Sequence, residues 1–156
     1  KVLEKMPEVT FYWAGDGQYR EHVLSELEKN KNFKWLGRLE YPDKVREYLN
    51  EIDVYALITG MDLAPLTLKE AQLMEKPVIG TDVGGVREMM VDNQTGFLVK
   101  EGDFEDIIDK LTILINDKEL AVKMGKEGKK FVVKSFSWEI IAKKFLEVVK
   151  PHIKNK

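Results

Sequence analysis

Two carboxylates eight positions apart, Asp62 and Glu70, are the residues of this chain best suited to hold a ligand. A carboxylate accepts hydrogen bonds from hydroxyl groups, and each charge-assisted bond of this kind contributes roughly 1.5–3 kcal/mol. Glu70 falls near the start of a predicted helix, where the positive end of the helix dipole keeps a carboxylate ionised. The pair therefore suits a pocket for a ligand with many hydroxyl groups. A structural role fits the same spacing, because Thr67 and Glu70 match a capping box and Asp62 matches a turn aspartate.

Two further glycine-rich turns follow predicted strands and have two interpretations each. Gly84 and Gly85 precede a predicted short helix, whose first N–H groups could cradle a phosphate; a tight strand-to-helix turn also requires glycine. Gly15 and Gly17 resemble the start of a dinucleotide-binding fingerprint, but Arg20 occupies the position of its third glycine. This substitution disfavours a nicotinamide cofactor and leaves an ordinary turn as the alternative.

Metal chemistry has little support in the sequence. Neither His22 nor His152 has a partner at the spacing of zinc ligands. The chain has no Asp-x-Asp pair of the kind that holds a nucleotide through a metal ion. We therefore predict no metal site and no bound cofactor.

Strand-like and helix-like segments alternate over the first hundred residues, which predicts a Rossmann-like, doubly wound parallel α/β sheet. Three helices without intervening strands then form a helical tail. The predicted strands are 9–14, 33–36, 53–58, 77–80 and 96–99, and the predicted helices are 19–29, 42–50, 66–75, 86–91, 104–115, 118–134 and 138–150.

This arrangement predicts where the candidate residues lie and what is buried. Ligands of open parallel sheets bind beyond the carboxyl ends of the strands, and the candidate residues follow those ends. The apolar run 53–58 predicts a strand that is buried on both faces. Gly125 and Gly128 are expected to loosen or break their helix, and the aromatic residues Phe131, Phe136 and Trp138 are expected to dock the tail as part of the core.

Length and composition are those of one domain. The chain has 156 residues, a formal net charge of −2 and no cysteine, so disulfides are excluded and nucleic acid is an unfavoured partner. No segment approaches the ~20 apolar residues of a membrane span, and we expect a cytoplasmic protein. Residues 1–6 match the end of a helix stopped by Pro7, which suggests that further residues precede them.

The ordered set of motifs resembles the carboxyl-terminal domain of GT-B retaining glycosyltransferases of family 4, also called group 1. The similarity covers nearly the whole chain. Its elements are residues 11–17, 33–37, the acid pair Asp62 and Glu70 in place of Glu-x7-Glu, Ala71, residues 76–79, Gly84 and Gly85 with Glu88, residues 95–99, and Phe136 with Trp138.

The resemblance implies a role for each matching position. Glu70 is expected to hold the ribose hydroxyls of a UDP-, GDP- or ADP-linked sugar, and Asp62 the transferred sugar. Arg38 and Leu39 are expected to meet the base, and Gly15 belongs to the nucleotide-binding set. The segment Leu63, Ala64, Pro65 and Leu66 is expected to approach the sugar and the diphosphate through its backbone. Gly84, Gly85 and Glu88 are secondary candidates.

Two departures from the family pattern concern the site. The family has glutamate at the position of Asp62 and Gly-Phe-Gly where this chain has Leu63, Ala64 and Pro65. Aspartate reaches less far and proline has no N–H group, so the sugar pocket is altered. The sequence also starts after the family's first strand, with its diphosphate-neutralising cations, and lacks the amino-terminal acceptor domain.

The first strand is central in the family's sheet. Without it, the strands that begin near Val9 and Asp53 are separated by one additional strand spacing, about 4.8 Å. Because an open slot leaves backbone groups unpaired, we expect one of three arrangements. Upstream residues fill the slot, the two strands close on each other, or another chain supplies a strand.

The resulting hypothesis is that residues 1–156 form a single donor-binding domain. In the complete enzyme the domain serves metal-independent, retaining sugar transfer from a nucleotide sugar to an unknown acceptor. The chain alone is expected to be inactive and to need an acceptor domain in cis or in trans, with any peripheral membrane contact made through that missing domain. The alternatives are a non-catalytic nucleotide-sugar-binding module and a GT-B sugar-nucleotide epimerase.

Overall fold

The structure, a computed structural model, describes residues 1–153. Its strands are β1 (Phe11–Ala14), β2 (Phe33–Gly37), β3 (Tyr55–Leu57), β4 (Val78–Thr81) and β5 (Gly96–Val99). Its α-helices are α1 (Val2–Lys5), α2 (Arg20–Leu27), α3 (Asp43–Glu51), α4 (Leu66–Leu73), α5 (Phe104–Asn116), α6 (Lys118–Phe136) and α7 (Trp138–Val149). Two 3₁₀ helices span Val86–Glu88 and Lys150–His152.

All strand pairs are parallel, and the predicted α/β class is confirmed. β3, β4 and β5 form one sheet in that order, with Tyr55 opposite Val78 and Val78 opposite Gly96. β1 and β2 form a second sheet, with Phe11 opposite Phe33. Helices connect successive strands, as parallel pairing requires.

β4 is the centre of the core because its side chains alternate between two apolar layers. Val78 packs in the layer formed mainly by α3, α4 and the first 3₁₀ helix. Ile79 packs on the opposite side, in the layer formed mainly by β5, α5 and α6. Every residue of β4 is buried, and each fully buried valine or isoleucine contributes roughly 1.5–3 kcal/mol. This strand therefore anchors the loops at its carboxyl end.

β3 does not have the two buried faces that its apolar sequence predicted. Tyr55 and Leu57 pack against the layer that contains α4, whereas Ala56 and Ile58 are exposed. Within residues 1–153 only one edge of β3 is paired, and Val54, just before β3, packs against the layer that contains α5 while Ala56 and Ile58 stay exposed. The prediction was wrong because an apolar run does not reveal which neighbouring elements cover each face.

The slot between the two sheets stays open. β1 pairs only with β2, and β3 pairs only with β4, among the residues that the structure describes. Closure of the two strands on each other, one of the three expected arrangements, does not occur.

The helical tail also corrects two expectations. α6 is continuous through Gly125 and Gly128, and both glycines are buried against α4. A Cβ atom on Gly125 would overlap the Glu75 carbonyl, and one on Gly128 would lie 3.1 Å from Gln72. The glycines thus allow close helix packing, and a 2.8 Å ion pair between Lys129 and Glu75 lies beside the contact.

Only part of the expected aromatic core of the tail forms. Phe131 and Phe136 pack edge to face, with ring centroids 5.7 Å apart. Trp138, in contrast, is 84% exposed and lies on the surface of α7. The two phenylalanines of α6 thus pack as expected, whereas Trp138 of α7 is not part of the core within residues 1–153.

Candidate active site

The two candidate carboxylates lie at one edge of the β3–β4–β5 sheet. Asp62 follows β3, and Glu70 is the fifth residue of α4; both are half-buried. Burial raises the pKa of the Tyr55 phenol, its hydrogen bond to Thr67 lowers that pKa, and the negative charges of Glu70 and Asp62 raise it further. The Thr67 hydroxyl accepts a 2.8 Å hydrogen bond from the Tyr55 phenol, and Glu70 follows Thr67 by one helical turn, so Glu70 lies on the face of α4 that meets the end of Tyr55.

The capping-box alternative for Glu70 does not form. α4 begins at Leu66, so Thr67 lies inside the helix and not at its cap, and no side chain caps α4. The Thr67 hydroxyl accepts a 2.8 Å hydrogen bond from the Tyr55 phenol. The Glu70 side chain makes no hydrogen bond or ion pair to any other residue of the part that the structure describes. Its carboxylate is therefore available to a ligand.

The loop that carries Asp62 is held by hydrogen bonds and by the diglycine turn. One carboxylate oxygen of Asp62 accepts a 3.1 Å hydrogen bond from the Ala64 N–H. The backbone carbonyl of Asp62 accepts a 2.8 Å hydrogen bond from the Gly85 N–H. A Cβ atom on Gly84 or Gly85 would overlap the backbone of Asp62 or Leu63.

These contacts favour the tight-turn alternative for the two glycines. The Gly85 N–H is occupied by a protein carbonyl, and the glycines allow the Asp62 loop to pack directly on the turn. Glu88 is exposed at the end of the 3₁₀ helix that follows. Gly84 and Gly85 therefore fix the height of the Asp62 loop above the sheet.

A buried threonine that the sequence reasoning missed ties the β3 loop to β4. The Thr81 hydroxyl accepts a 2.8 Å bond from the Thr59 N–H and donates a 2.7 Å bond to the Thr59 carbonyl. Thr81 is almost fully buried at the carboxyl end of β4. The sequence signal that could have indicated this role is a polar residue, Thr81, at the end of an apolar strand.

The remaining candidates form a second group at the carboxyl ends of β1 and β2. Gly15 donates a 2.8 Å bond from its N–H to the Gly37 carbonyl and accepts a 2.9 Å bond from the Trp35 indole. Arg38, which follows β2, is exposed, and Leu39 is half-buried. No strand pairing within residues 1–153 joins this group to the acid pair.

Arg87, which follows the diglycine turn, is engaged within the protein. It forms a bidentate ion pair with Asp82, directly beyond β4. Residues 1–153 contain no cluster of three His, Cys, Asp or Glu side chains arranged to hold a metal ion. Over the same residues, no helix combines the length and hydropathy that crossing a membrane requires.

Leu63, Ala64 and Leu66 are exposed, and Pro65 is buried beneath them. The site thus combines a half-buried acid pair, exposed apolar side chains between the two acids, and a Tyr55–Thr67 hydrogen bond at the start of α4. Such a site can accept hydrogen bonds from a ligand rich in hydroxyl groups.

Several known proteins are similar to this chain in sequence or in structure. The trehalose synthase of Thermococcus litoralis is 34% identical over 146 residues, which is 87% of this chain and 35% of that protein. A GDP-mannose-dependent monoacylated α-(1-6)-phosphatidylinositol monomannoside mannosyltransferase of Corynebacterium glutamicum is 30% identical and is matched over 96% of this chain and 41% of that protein.

The fold has close structural counterparts. A TarM variant of S. aureus, solved with UDP, α-GlcNAc-glycerol and fondaparinux, superposes with a TM-score of 0.84 at 23% identity, over 94% of this chain and 30% of that one. The architecture is thus that of a GT-B carboxyl-terminal domain. The chain spans about a third of the length of the first curated relatives that it matches.

The family described as "Glycosyl transferases group 1" matches residues 1–150, nearly the whole chain. The sequence motifs, the parallel architecture and this match agree, and the chain belongs to the group 1 glycosyl transferases.

Proposed function

We propose that this chain is the donor-binding half of a metal-independent, retaining glycosyltransferase. The observation that carries the proposal is the position of Asp62 after β3 and of Glu70 on α4, at one edge of the sheet, with Glu70 free of any capping role. Two carboxylates at one edge suit the hydroxyl groups of the ribose and of the sugar in a nucleotide sugar.

Each candidate residue has a role in this proposal. Glu70 accepts hydrogen bonds from the ribose hydroxyls, and Asp62 accepts them from the transferred sugar. The exposed segment that carries Leu63, Ala64 and Leu66 approaches the sugar and the diphosphate, while Pro65 contributes shape without an N–H group. Arg38 and Leu39 contact the nucleobase of the donor, and Gly15 lies beside them in the nucleotide-binding part of the site.

The nature of the donor is left to experiment because the relatives differ. One relative is named for its dependence on GDP-mannose, and one structural neighbour was solved with UDP. The shorter reach of Asp62 compared with glutamate favours a donor sugar that lies closer to the β3 loop.

The chain also offers surfaces for a second domain that would bind the acceptor. Trp138, Phe145 and Val148 project from one side of α7 and are 84%, 64% and 69% exposed. β1 and β3 each have one unpaired edge within residues 1–153. Exposed apolar groups and unpaired strand edges are features that proteins normally cover. We propose that an acceptor domain covers them in the complete enzyme, and that residues 1–156 alone do not turn over.

Thermal unfolding in the presence of UDP-, GDP- and ADP-sugars tests the donor-binding proposal. A ligand at 100 times its Kd stabilises the folded protein by about 2.7 kcal/mol. We expect one nucleotide class to raise the melting temperature with EDTA present, and Glu70→Gln to remove the shift. The exposed Glu119→Gln is the matched control. An equal shift of the melting temperature in the wild type and in Glu70→Gln would refute the proposal.

A further inference from the structure

Gln72 of α4 is a buried side chain whose amide is only half satisfied by hydrogen bonds. The side chain is fully buried. Its amide nitrogen donates a 2.8 Å hydrogen bond to the Met89 carbonyl and a longer one, 3.4 Å, to the Leu68 carbonyl. Because both partners are acceptors, they meet the NH₂ group of the amide. The amide oxygen is therefore left buried without a hydrogen-bond partner among residues 1–153.

An unpaired buried oxygen lowers stability, so packing alone does not explain this glutamine. The oxygen lies on the side of α6, where a Cβ atom on Gly128 would be 3.3 Å from it. An apolar side chain of similar size at position 72 would fill the same space without the cost of an unpaired oxygen. What the glutamine adds is its hydrogen bond to Met89.

The hydrogen bond from Gln72 to Met89 links the helix of Glu70 to the turn that holds Asp62. Glu70 lies two residues before Gln72 on α4. Met89 directly follows the first 3₁₀ helix, whose last N–H group donates a 3.1 Å hydrogen bond to the Gly85 carbonyl. The Gly85 N–H in turn donates the 2.8 Å hydrogen bond to the Asp62 carbonyl. Hydrogen bonds thus connect α4 to the Asp62 loop through the diglycine turn.

We propose that Gln72 is a positioning residue of the donor site and sets the separation of the Glu70 and Asp62 carboxylates. This inference rests on the proposed donor-binding function, in which Glu70 holds the ribose and Asp62 the transferred sugar. A ligand that reaches both carboxylates depends on their separation. A ligand that ends at the diphosphate depends only on Glu70 of the pair. The alternative is that Gln72 merely attaches α4 to the 3₁₀ helix.

Calorimetric affinities of the full-length protein for a nucleotide sugar and for the matching nucleoside diphosphate separate these two roles. The base is the one that the donor screen selects. Gln72→Met keeps an unbranched side chain of similar length and removes the hydrogen-bond donor. We expect it to weaken nucleotide-sugar binding about tenfold, because a small displacement of a positioned group is costly. Nucleoside diphosphate binding should stay within about twofold.

The melting temperature and a matched substitution are the controls. Gln72→Met removes one hydrogen bond and also the unpaired oxygen, so the melting temperature of the free protein should change by less than about 4 °C. Gln94→Met makes the same substitution at an exposed position and should leave both affinities unchanged.

A double variant tests whether Gln72 acts through Asp62. Asp62→Asn should weaken nucleotide-sugar binding in the wild type, and by much less in the Gln72→Met background, because the displaced carboxylate already contributes little there. If Gln72→Met does not fold, hydrogen exchange of the Gln72 side-chain amide in the wild type decides. The nucleotide sugar should slow this exchange more than the nucleoside diphosphate does.

The result that overturns the inference is an equal change in affinity for the two ligands, additive losses in the double variant, or equal slowing of amide exchange by both ligands. A loss of nucleotide-sugar binding in Glu70→Gln would then leave the donor-binding function intact. If the wild type binds no nucleotide sugar, the donor-binding function and this inference both fail.

Discussion

At the scale of single residues, Tyr55 connects the site to the stability of the fold. Its phenol donates to Thr67, which lies one helical turn before Glu70. Burial, and then the charges of Glu70 and Asp62, raise its pKa in the folded state, against the lowering effect of the Thr67 bond. Burial also raises the pKa of Tyr48, with smaller contributions from Tyr55 and Tyr12. The phenolate form is therefore disfavoured in the folded protein.

This shift predicts a loss of stability at high pH. An unfolded tyrosine loses its proton near pH 10, before the folded one does, so the unfolded state binds fewer protons above that pH. Stability is then fully present below about pH 10 and decreases as pH rises through the folded pKa. Urea unfolding between pH 8 and pH 11 should show a shallower decrease for Tyr55→Phe than for wild type.

Tyr19→Phe is the control for this prediction, since Tyr19 is exposed. The loss of the Tyr55–Thr67 hydrogen bond lowers stability at every pH by about 0.5–1.5 kcal/mol. The quantity to compare between the variants is therefore the slope of the unfolding free energy against pH. Parallel pH profiles for wild type and Tyr55→Phe would contradict the account of Tyr55.

At the scale of elements, the diglycine turn is what positions the Asp62 loop. Gly85→Ala should lower stability by about 1–3 kcal/mol, because its Cβ atom would overlap the Leu63 carbonyl and force the loop away. Nucleotide-sugar binding should fall in the same variant. Gly17→Ala is the matched control, since no atom lies within 4 Å of a Cβ atom at that position. Chemical unfolding and ligand titration of the two variants measure both effects.

If Gly85→Ala retained wild-type stability and affinity, the turn would not support the site. A loss of affinity that Gly17→Ala also showed would indicate a general effect of the added methyl group. Only a loss confined to Gly85→Ala agrees with the contact between this turn and the Asp62 loop.

The elements also show how far sequence reasoning reaches. The predicted strand 77–80 was confirmed as β4, and the three predicted tail helices were confirmed as well. The spacing of Thr67 and Glu70 suggested a capping box, but α4 begins at Leu66, two residues too early for that cap. Spacing alone does not fix the first residue of a helix; here Pro65 is extended and α4 begins directly after it.

Gly125 and Trp138 illustrate a second limit. A glycine in a helix lowers intrinsic helix propensity, but Gly125 is buried where α6 meets α4 and a side chain would not fit. Trp138 marks an apolar face, but its aromatic character does not tell which partner covers it. Both outcomes depend on neighbours in three dimensions, which a local pattern does not contain.

At the scale of the whole molecule, α7 and the slot between β1 and β3 are the features to explain. α7 has 12 residues, a length at which an isolated helix is marginal in water. None of its residues is fully buried within the described part of the chain. We therefore expect the stability of α7 to depend on a partner that packs on its apolar face.

Hydrogen exchange can test this dependence. In residues 1–156 alone, amides of α7 should exchange much faster than those of α5, whose Ile107, Leu111 and Leu114 are buried in the core. In the full-length protein we expect slower exchange in α7 and at the unpaired edges of β1 and β3, with α5 as the unchanged control. Equal protection of α7 in the short and the long protein would contradict the proposed second-domain contact.

The most direct test of the central claim is a calorimetric titration of the full-length protein with UDP-, GDP- and ADP-sugars. The account predicts that one of these donors binds, and that Glu70→Gln weakens its binding about tenfold or more without a change in the melting temperature of the free protein. Glu119→Gln should bind as the wild type does. Absence of binding for all three donors, or equal affinity of wild type and Glu70→Gln, would contradict the claim that the acid pair holds a nucleotide sugar.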